Sequence, residues 1–357
     1  MTTKKRNSPL SGKVQTVLGP IEPSELGVTM THEHLLVHGL CYMRNPEEAT
    51  LRAYEHAPVT ADKLGDQSKL FWNSRDNFTL YDEKFAVAEA LKYKHAGGQS
   101  LVDTTSRRGT GRDPLGLARI SRATGLNIVM GGSYYVLLSY PPGFDKKPED
   151  EIYHEIVTDI TEGADGGVRS GIIGEVGNFY PLTANERKVL RASARAAAAT
   201  GAPITIHPAP HDDSHYEIIN ILAKSGADPK RVVMGHLDFT LCSHRPALKR
   251  LAEMGCFLEF DTFGWENTTL SVAYPGLTMV SDVQRIEAIE FLIAGGHLDQ
   301  ILVAQDICQK WMTTRYGGKG YAHILTNIVP RLRKRGWTQQ QLDAVLIHNP
   351  ARALTFA

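Results

Sequence analysis

The sequence predicts a (β/α)₈ barrel, and three observations carry that prediction. From about residue 98 onward the chain repeats one grammar: an apolar β-rich run, a polar or glycine loop, a capped amphipathic helix, then glycine and the next run. Counting the opening strand there are eight runs, seven of them joined by segments containing a helix. Such alternation implies a parallel sheet, and eight strands close a barrel. No run is followed by a GxGxxG turn, which disfavours the doubly wound open sheet; Gly131-Gly132 and Gly317-Gly318-Lys319-Gly320 have neither Rossmann nor P-loop spacing.

The opening strand ends in Thr29-Met30-Thr31-His32-Glu33-His34, entered from Val28 and left through Leu35, Leu36 and Val37. Runs 99–105 (QSLVDTT), 126–131 (LNIVMG), 170–176 (SGIIGEV), 202–207 (APITIH), 231–236 (RVVMGH), 256–261 (CFLEFD) and 300–306 (QILVAQD) supply the others. Asp113 as N-cap, with Pro114 at the first helical position, opens a helix that runs to Thr124 and stops at Gly125. Capping boxes at Thr183/Glu186, Ser281/Gln284 and Thr338/Gln341 open three more; the first runs through Ala199 and the second ends at Gly295-Gly296. A further helix over about 215–224 ends near Gly226, and Ser243 is expected to cap one ending at Gly255. The aromatic, polar stretch 39–81 breaks this grammar and reads as an insertion over the barrel mouth, or alternatively as a partner-contacting loop. With a short N-terminal β extension, residues 1–357 are expected to form a single domain.

Composition is ordinary for a globular chain, with 42% hydrophobic and 22% charged residues. Lys+Arg 39 against Asp+Glu 39 leaves no basic excess for nucleic acid or an anionic membrane. Cys41, Cys242, Cys256 and Cys308 are scattered without a CxxC pair, so neither a disulfide framework nor a zinc finger is indicated. Lys4, Lys5 and Arg6 are not followed by an apolar segment, and no run suffices to span a bilayer, so a soluble cytoplasmic protein is expected.

Residues two apart in a strand share a face, so His32 and His34 would converge on one point, as a metal requires. Alone, such a pair is as readily two ordinary histidines on a half-buried strand. In a barrel, however, the C-terminal strand ends face one pocket, and those ends carry His32, His34, Glu175, His207, His236 and Asp306. Six ligands exceed what one catalytic zinc takes and suit two divalent ions, expected to be zinc. The natural division puts His32, His34 and Asp306 on one ion and His207 and His236 on the other, bridged by Glu175. A metal-bridging hydroxide would be the nucleophile, with Asp306 as the catalytic proton acceptor or shuttle. The reaction class is metal-assisted hydrolysis of a small-molecule substrate.

The runs THEHLL, GIIGEVG, VLRASARAAAATGAPITIHP, VVMGHLD and ILVAQDI resemble the phosphotriesterase-like members of the amidohydrolase superfamily. LSGKVQTVLGPIEPSELGVTMTHEHLL, GGKGYAHILTNIVP and HNPARALTF are similar to the phosphotriesterase-related branch, some bacterial members of which carry the label resiniferatoxin-binding protein. The resemblance covers nearly the full length. It implies a distorted TIM barrel, a binuclear zinc-type centre and hydrolase chemistry; enzymes of this kind are often homodimers. Phosphotriesterases proper bridge their metals with a carboxylated lysine; Glu175 stands in that place, and there is no lysine between Lys147 and Lys188. Where organophosphate hydrolases of the family have an Asp-His pair, this chain has Asp261-Thr262, which removes a histidine that could pass protons onward.

Both departures point from phosphotriesters or phosphodiesters toward a carboxylic ester, lactone or N-acyl amide, while the inherited label suggests a non-catalytic ligand-binding protein as a further alternative. Loop position nominates Tyr134, Tyr135, Trp265, Glu266, Arg315, Tyr316 and Lys319 as pocket residues. Of these, Tyr135, Trp265, Arg315 and Lys319 are the expected substrate contacts, and the two cations could hold a carboxylate or sulfonate or be solvated loop charges. Asp238 and Asp261 are candidates to hold a ligand histidine from behind, Asp238 being alternatively a helix-cap or loop aspartate. His38 falls past the strand end, and Cys308 reads as a packing residue.

Overall fold

Strands β1 (Val14–Thr16) and β2 (Gly19–Ile21) form a hairpin ahead of the first barrel strand, β3 (Thr29–Glu33). β4 (Val37–His38) and β5 (Thr79–Leu80) pair antiparallel and bracket the insertion. The remaining strands are β6 (Ser100–Asp103), β7 (Asn127–Gly132), β8 (Ile172–Gly177), β9 (Ile204–His207), β10 (Val232–Met234), β11 (Phe257–Phe260) and β12 (Ile301–Val303). In this computed structural model, which describes residues 10–44, 48–66, 72–107, 109–266 and 279–357, eight parallel strands run in the order β3, β6, β7, β8, β9, β10, β11, β12. The ring is nearly closed, and a bond from Asp306 N–H to His32 O (3.1 Å) ties its two ends. It is a TIM-barrel-like single domain. Val14 and Leu26 pack with Val102, Val129 and Ile172 of the barrel, so the N-terminal extension plugs one end with apolar side chains.

Helices Pro114–Thr124, Ala184–Thr200, Asp212–Lys224 and Asp282–Ala294 follow the sequence expectation, with the Asp113 cap and the Thr183 and Ser281 capping boxes formed. Glu83–His95 and Glu149–Thr161 are the crossover helices that were not individually assigned from sequence. Ser243 does not cap: the helix there is Arg245–Ala252, preceded by His244 without a side-chain cap. The Thr338 box opens only Gln339–Asp343, which continues through a wide turn, Ala344–His348, into Asn349–Leu354. Of the insertion, the described parts include a short helix, Ala49–Glu55, and 3₁₀ turns at Leu40–Tyr42 and Ala61–Asp66. Positions 45–47 and 67–71 lie outside the described residues.

The predicted strands overran their C-terminal ends. β3 stops at Glu33, β10 at Met234 and β12 at Val303, so His34, His236 and Asp306 stand on the turns just beyond. His236 (φ 54°) and Asp306 (φ 49°) adopt left-handed backbone that no strand accommodates. Register shifts between Met30 and Glu33 on β3, and between Ile173 and Val176 on β8, lie where His32 and Glu175 are carried. Bulges re-aim side chains in this way beside functional sites. Gly174 has φ 128°, and a Cβ there would sit 2.3 Å from Thr205 O, so glycine is required immediately before Glu175.

His215, on Asp212–Lys224, is fully buried, and its Nδ1–H faces the carbonyls of His211 (3.2 Å) and Asp212 (3.3 Å). Its Nε2 has no partner among the described residues, and burial pushes its pKa from the usual 6.5 down to about 4. Below pH 6.5 the unfolded chain takes up a proton that the folded chain refuses. The contribution to stability is thus complete above pH 6.5 and is lost as pH falls toward about 4, amounting to roughly 3 kcal/mol. Thermal melts between pH 7 and 4.5 should fall less steeply for His215→Gln than for the wild type; parallel curves would contradict this account.

Candidate metal centre

The six sequence-predicted ligands meet at the C-terminal rim of the barrel. Glu175, 3% exposed, lies at their centre. Its Oε1 is 3.5 Å from His34 Nε2, while Oε2 is 3.4 Å from His32 Nε2, 3.1 Å from His207 Nδ1 and 3.6 Å from His236 Nε2. Asp306 Oδ1 is 3.2 Å from His34 Nε2 and 4.0 Å from His32 Nε2. Among the described residues three groups bring their donor atoms within 4.8 Å of one another: His32/His34/Asp306 and His32/Glu175/His236 at the rim, and His32/Glu259/Asp261 on the Nδ1 side of His32. His32 Nε2 is buried without a hydrogen-bond partner among the described residues, and it points into this cluster. A lone imidazole nitrogen facing carboxylates in a sealed site is the donor set a divalent cation fits.

The histidines are held from behind. Asp261 Oδ1 is 2.8 Å from His236 Nδ1, its Oδ2 accepts from His236 N–H at 2.9 Å, and the same oxygen lies 3.3 Å from His32 Nδ1. Glu259, two residues earlier on β11, puts Oε2 3.2 Å from His32 Nδ1. Asp238 does not orient a histidine directly. It accepts from Asp261 N–H (3.0 Å) and from Arg285 Nε (2.5 Å), so it acts one step further back. Arg285, with no exposed surface, also donates to Asp282 (3.0 Å) and to Thr262 Oγ1 (2.9 Å). Thr262 is thus part of this buried network.

A second carboxylate fixes Asp306. Glu33 Oε1 accepts from Gln305 N–H at 2.8 Å and Oε2 from Ile307 N–H at 3.0 Å, clamping both flanks of the left-handed turn. Trp265 Nε1–H pins the same turn through Gln305 O at 2.9 Å.

Protonation follows these contacts. Burial alone would lower His32, but the Glu175 and Asp261 charges raise it well above its usual value. Burial likewise opposes His236, which Asp261 brings up to about 10. Burial would raise Glu175, yet His32 and His207 hold it well below the carboxylate range. His207 is lowered, first by burial and then by His236. The negative field that keeps protons on His32 and His236 is equally open to a divalent cation, which must displace them.

Above the cluster lies a cleft of about 950 Å³, counting its mouth. Tyr135 and Trp265 line it, as do Tyr42, Trp72 and Phe78 from the insertion. Arg315 and Lys319 do not. Arg315 lies over the Phe85 ring (5.9 Å), and Lys319 lines a separate cavity on the other side of Trp265. Tyr134 turns away to bond Glu155, Glu266 accepts from Asp282 N–H (2.8 Å), and the Tyr316 ring lies tilted against Phe85 (6.0 Å between centroids). Cys308 reaches the cleft, and its thiol pKa is pushed well up by burial. Among the described residues no helix is long and apolar enough to cross a membrane.

A model of the phosphotriesterase family matches residues 12–354. The chain belongs to the phosphotriesterase family. The N-acetyltaurine hydrolase of Salmo salar is 42% identical over 352 residues, covering 98% of this chain and 99% of that protein. The Homo sapiens protein of the same name is 41% identical over the same shares. A resiniferatoxin-binding protein from Rhodobacter sphaeroides has the same fold at a TM-score of 0.93 and 36% identity, covering 99% of this chain and 98% of that one. This phosphotriesterase-family chain is a hydrolase.

Glu33, Glu259 and Arg285 are the buried groups of the family chain's site that sequence reasoning missed. Glu259 carried a signal, since it alternates with Asp261 on one face of an otherwise apolar strand. For Glu33, Gln is the diagnostic replacement, because it keeps the volume but sets an amide N–H against a backbone N–H. Glu33→Gln should weaken divalent-metal affinity about 10–100-fold in chelator competition, and should change nothing further in an Asp306→Asn background. Full additivity of the two substitutions would refute the clamp.

Proposed function

We propose that this protein is a metal-dependent amidohydrolase that cleaves small N-acyl amides, N-acetyltaurine among them. The observation that carries the proposal is Glu175: Oε1 faces His34 and Oε2 faces His32, His207 and His236, all within 3.6 Å, which supports a carboxylate shared between two ions. His32, His34 and Asp306 would hold one ion and His207 and His236 the other, with zinc the metal expected for imidazole and carboxylate donors. Bound there, the ions would supply Lewis acidity toward the amide carbonyl and bring the pKa of water into the neutral range.

The chain's own residues account for the rest. Asp306, fixed by Glu33 at the floor of the cleft, takes the proton of the attacking water and returns it to the leaving nitrogen, which amide cleavage requires. Tyr42 donates to the Tyr135 hydroxyl (3.1 Å), freeing the Tyr135 proton to donate toward the cluster, where His207 Nδ1 lies 3.3 Å away. Tyr135 can therefore bond the substrate's carbonyl oxygen as it gains charge. Trp72, Phe78, Phe239 and Trp265 exclude water from the reacting bond. Thr262, held by Arg285, cannot relay a proton away from Asp306 as a histidine could, which favours amides over phosphotriesters. The names of the Salmo salar and Homo sapiens relatives support the same substrate class.

Acetate release from N-acetyltaurine by zinc-loaded protein tests the proposal. Turnover is expected for the wild type, with a loss of about 10²–10⁴-fold in kcat for Asp306→Asn. Hydrolysis of paraoxon without hydrolysis of N-acyl amides would overturn the assignment in favour of phosphoester chemistry.

A further inference from the structure

Tyr42, Trp72, Phe78, Phe179, Phe239 and Trp265 give the cleft much of its wall, and its described lining residues include no lysine or arginine. Away from the histidines of the metal cluster, an anionic group on a substrate has to be met by neutral donors. Gln309 is prepared for that task. It is 1% exposed, yet it lines the cleft. Its Oε1 accepts from Trp311 Nε1 at 2.6 Å and from Asn77 Nδ2 at 2.8 Å. An indole nitrogen can only donate, so the Trp311 bond decides which end of the Gln309 amide is oxygen. The amide nitrogen is left with no hydrogen bond to the described residues, and it is not among the polar atoms sealed in the interior.

The side chain is held from two directions. Asn77 comes from the insertion and also takes Lys310 N–H on its backbone oxygen (3.0 Å) and Trp311 N–H on its Oδ1 (3.1 Å). Gln309 itself lies on the loop after β12, three residues beyond Asp306. Its rotamer is set before any ligand arrives, so little conformational entropy is lost on binding.

We propose that Gln309 is a specificity-determining residue: its Nε2 donates to a sulfonate or carboxylate oxygen at the end of the substrate remote from the scissile amide. The proposal rests on the amidohydrolase function assigned above. An N–H donor in an apolar-walled cleft can hold an anion without a neighbouring cation, because the bond is charge-assisted and water is excluded. It also explains how a cleft without Arg315 or Lys319 can accept an acidic amide.

Gln309→Glu is the sharp test, since it keeps the acceptor for Trp311 and Asn77 and turns the donor into a carboxylate oxygen. KM for N-acetyltaurine and for N-acetyl-β-alanine should rise about 10–100-fold with kcat little changed, while N-propylacetamide, a neutral analogue, is unaffected. A rise for only one acid identifies the anion that Gln309 serves. Equal losses on charged and neutral amides, or no change at all, would overturn the proposal. If Gln309→Glu melts well below the wild type, Gln309→Met should give the same charge-selective rise. Calorimetric titration with ethanesulfonate needs no turnover: it should bind the wild type at least about tenfold more tightly than Gln309→Glu. Equal affinity, or none in the wild type, would count against Gln309. A wild type that hydrolyses no amide but binds ethanesulfonate through Gln309 overturns the assigned reaction and leaves the anion contact standing.

Discussion

A carboxylate buried among four imidazoles is the constraint around which this barrel is built. Glu175 is almost inaccessible to solvent, and an isolated charge there would cost several kcal/mol. It is tolerated because His32, His34, His207 and His236 all present a ring nitrogen within 3.6 Å of its oxygens. The backbone yields to that arrangement. Glycine precedes Glu175 because a side chain would strike β9, and the register slips on β3 and β8 where His32 and Glu175 are carried. His236 and Asp306 accept left-handed conformations to reach the same point.

Those strained positions are secured by a layer of further carboxylates. Asp261 reaches both His32 and His236, Glu259 reaches His32, and Glu33 clamps the turn of Asp306. Behind them Arg285 neutralises Asp238 and Asp282 and fixes the loop that carries Trp265. The wall of the cleft and the floor of the site are therefore one hydrogen-bonded unit, because Trp265 bonds the residue next to Asp306. Pre-organisation of this kind is what lets a site act on a transition state without rearranging.

Much of this was legible in the sequence. Alternating strands and capped helices gave the barrel, since several helix starts were written in local side-chain chemistry such as Thr183/Glu186 and Ser281/Gln284. The clustering of His32, His34, Glu175, His207, His236 and Asp306 was legible because a barrel sends all its strand ends to one rim. The ends of β10 and β12 were not, as apolar periodicity says nothing of a left-handed residue beyond it. Ser243 matched a cap pattern that the turn at His244 overrode. Loop position could not tell that Arg315 lies over Phe85 or that Lys319 lines a separate cavity beyond Trp265. Glu33 was invisible for a different reason: its partners lie 272 and 274 positions away, and only closure of the barrel brings them together.

The central claim is that Glu175 is shared between two ions, and metal stoichiometry addresses it most directly. Elemental analysis of protein purified from zinc-supplemented cells should give about two zinc ions per chain, falling to about one in Glu175→Ala. A wild-type value of one or none, or a Glu175→Ala variant that keeps both ions, would contradict it.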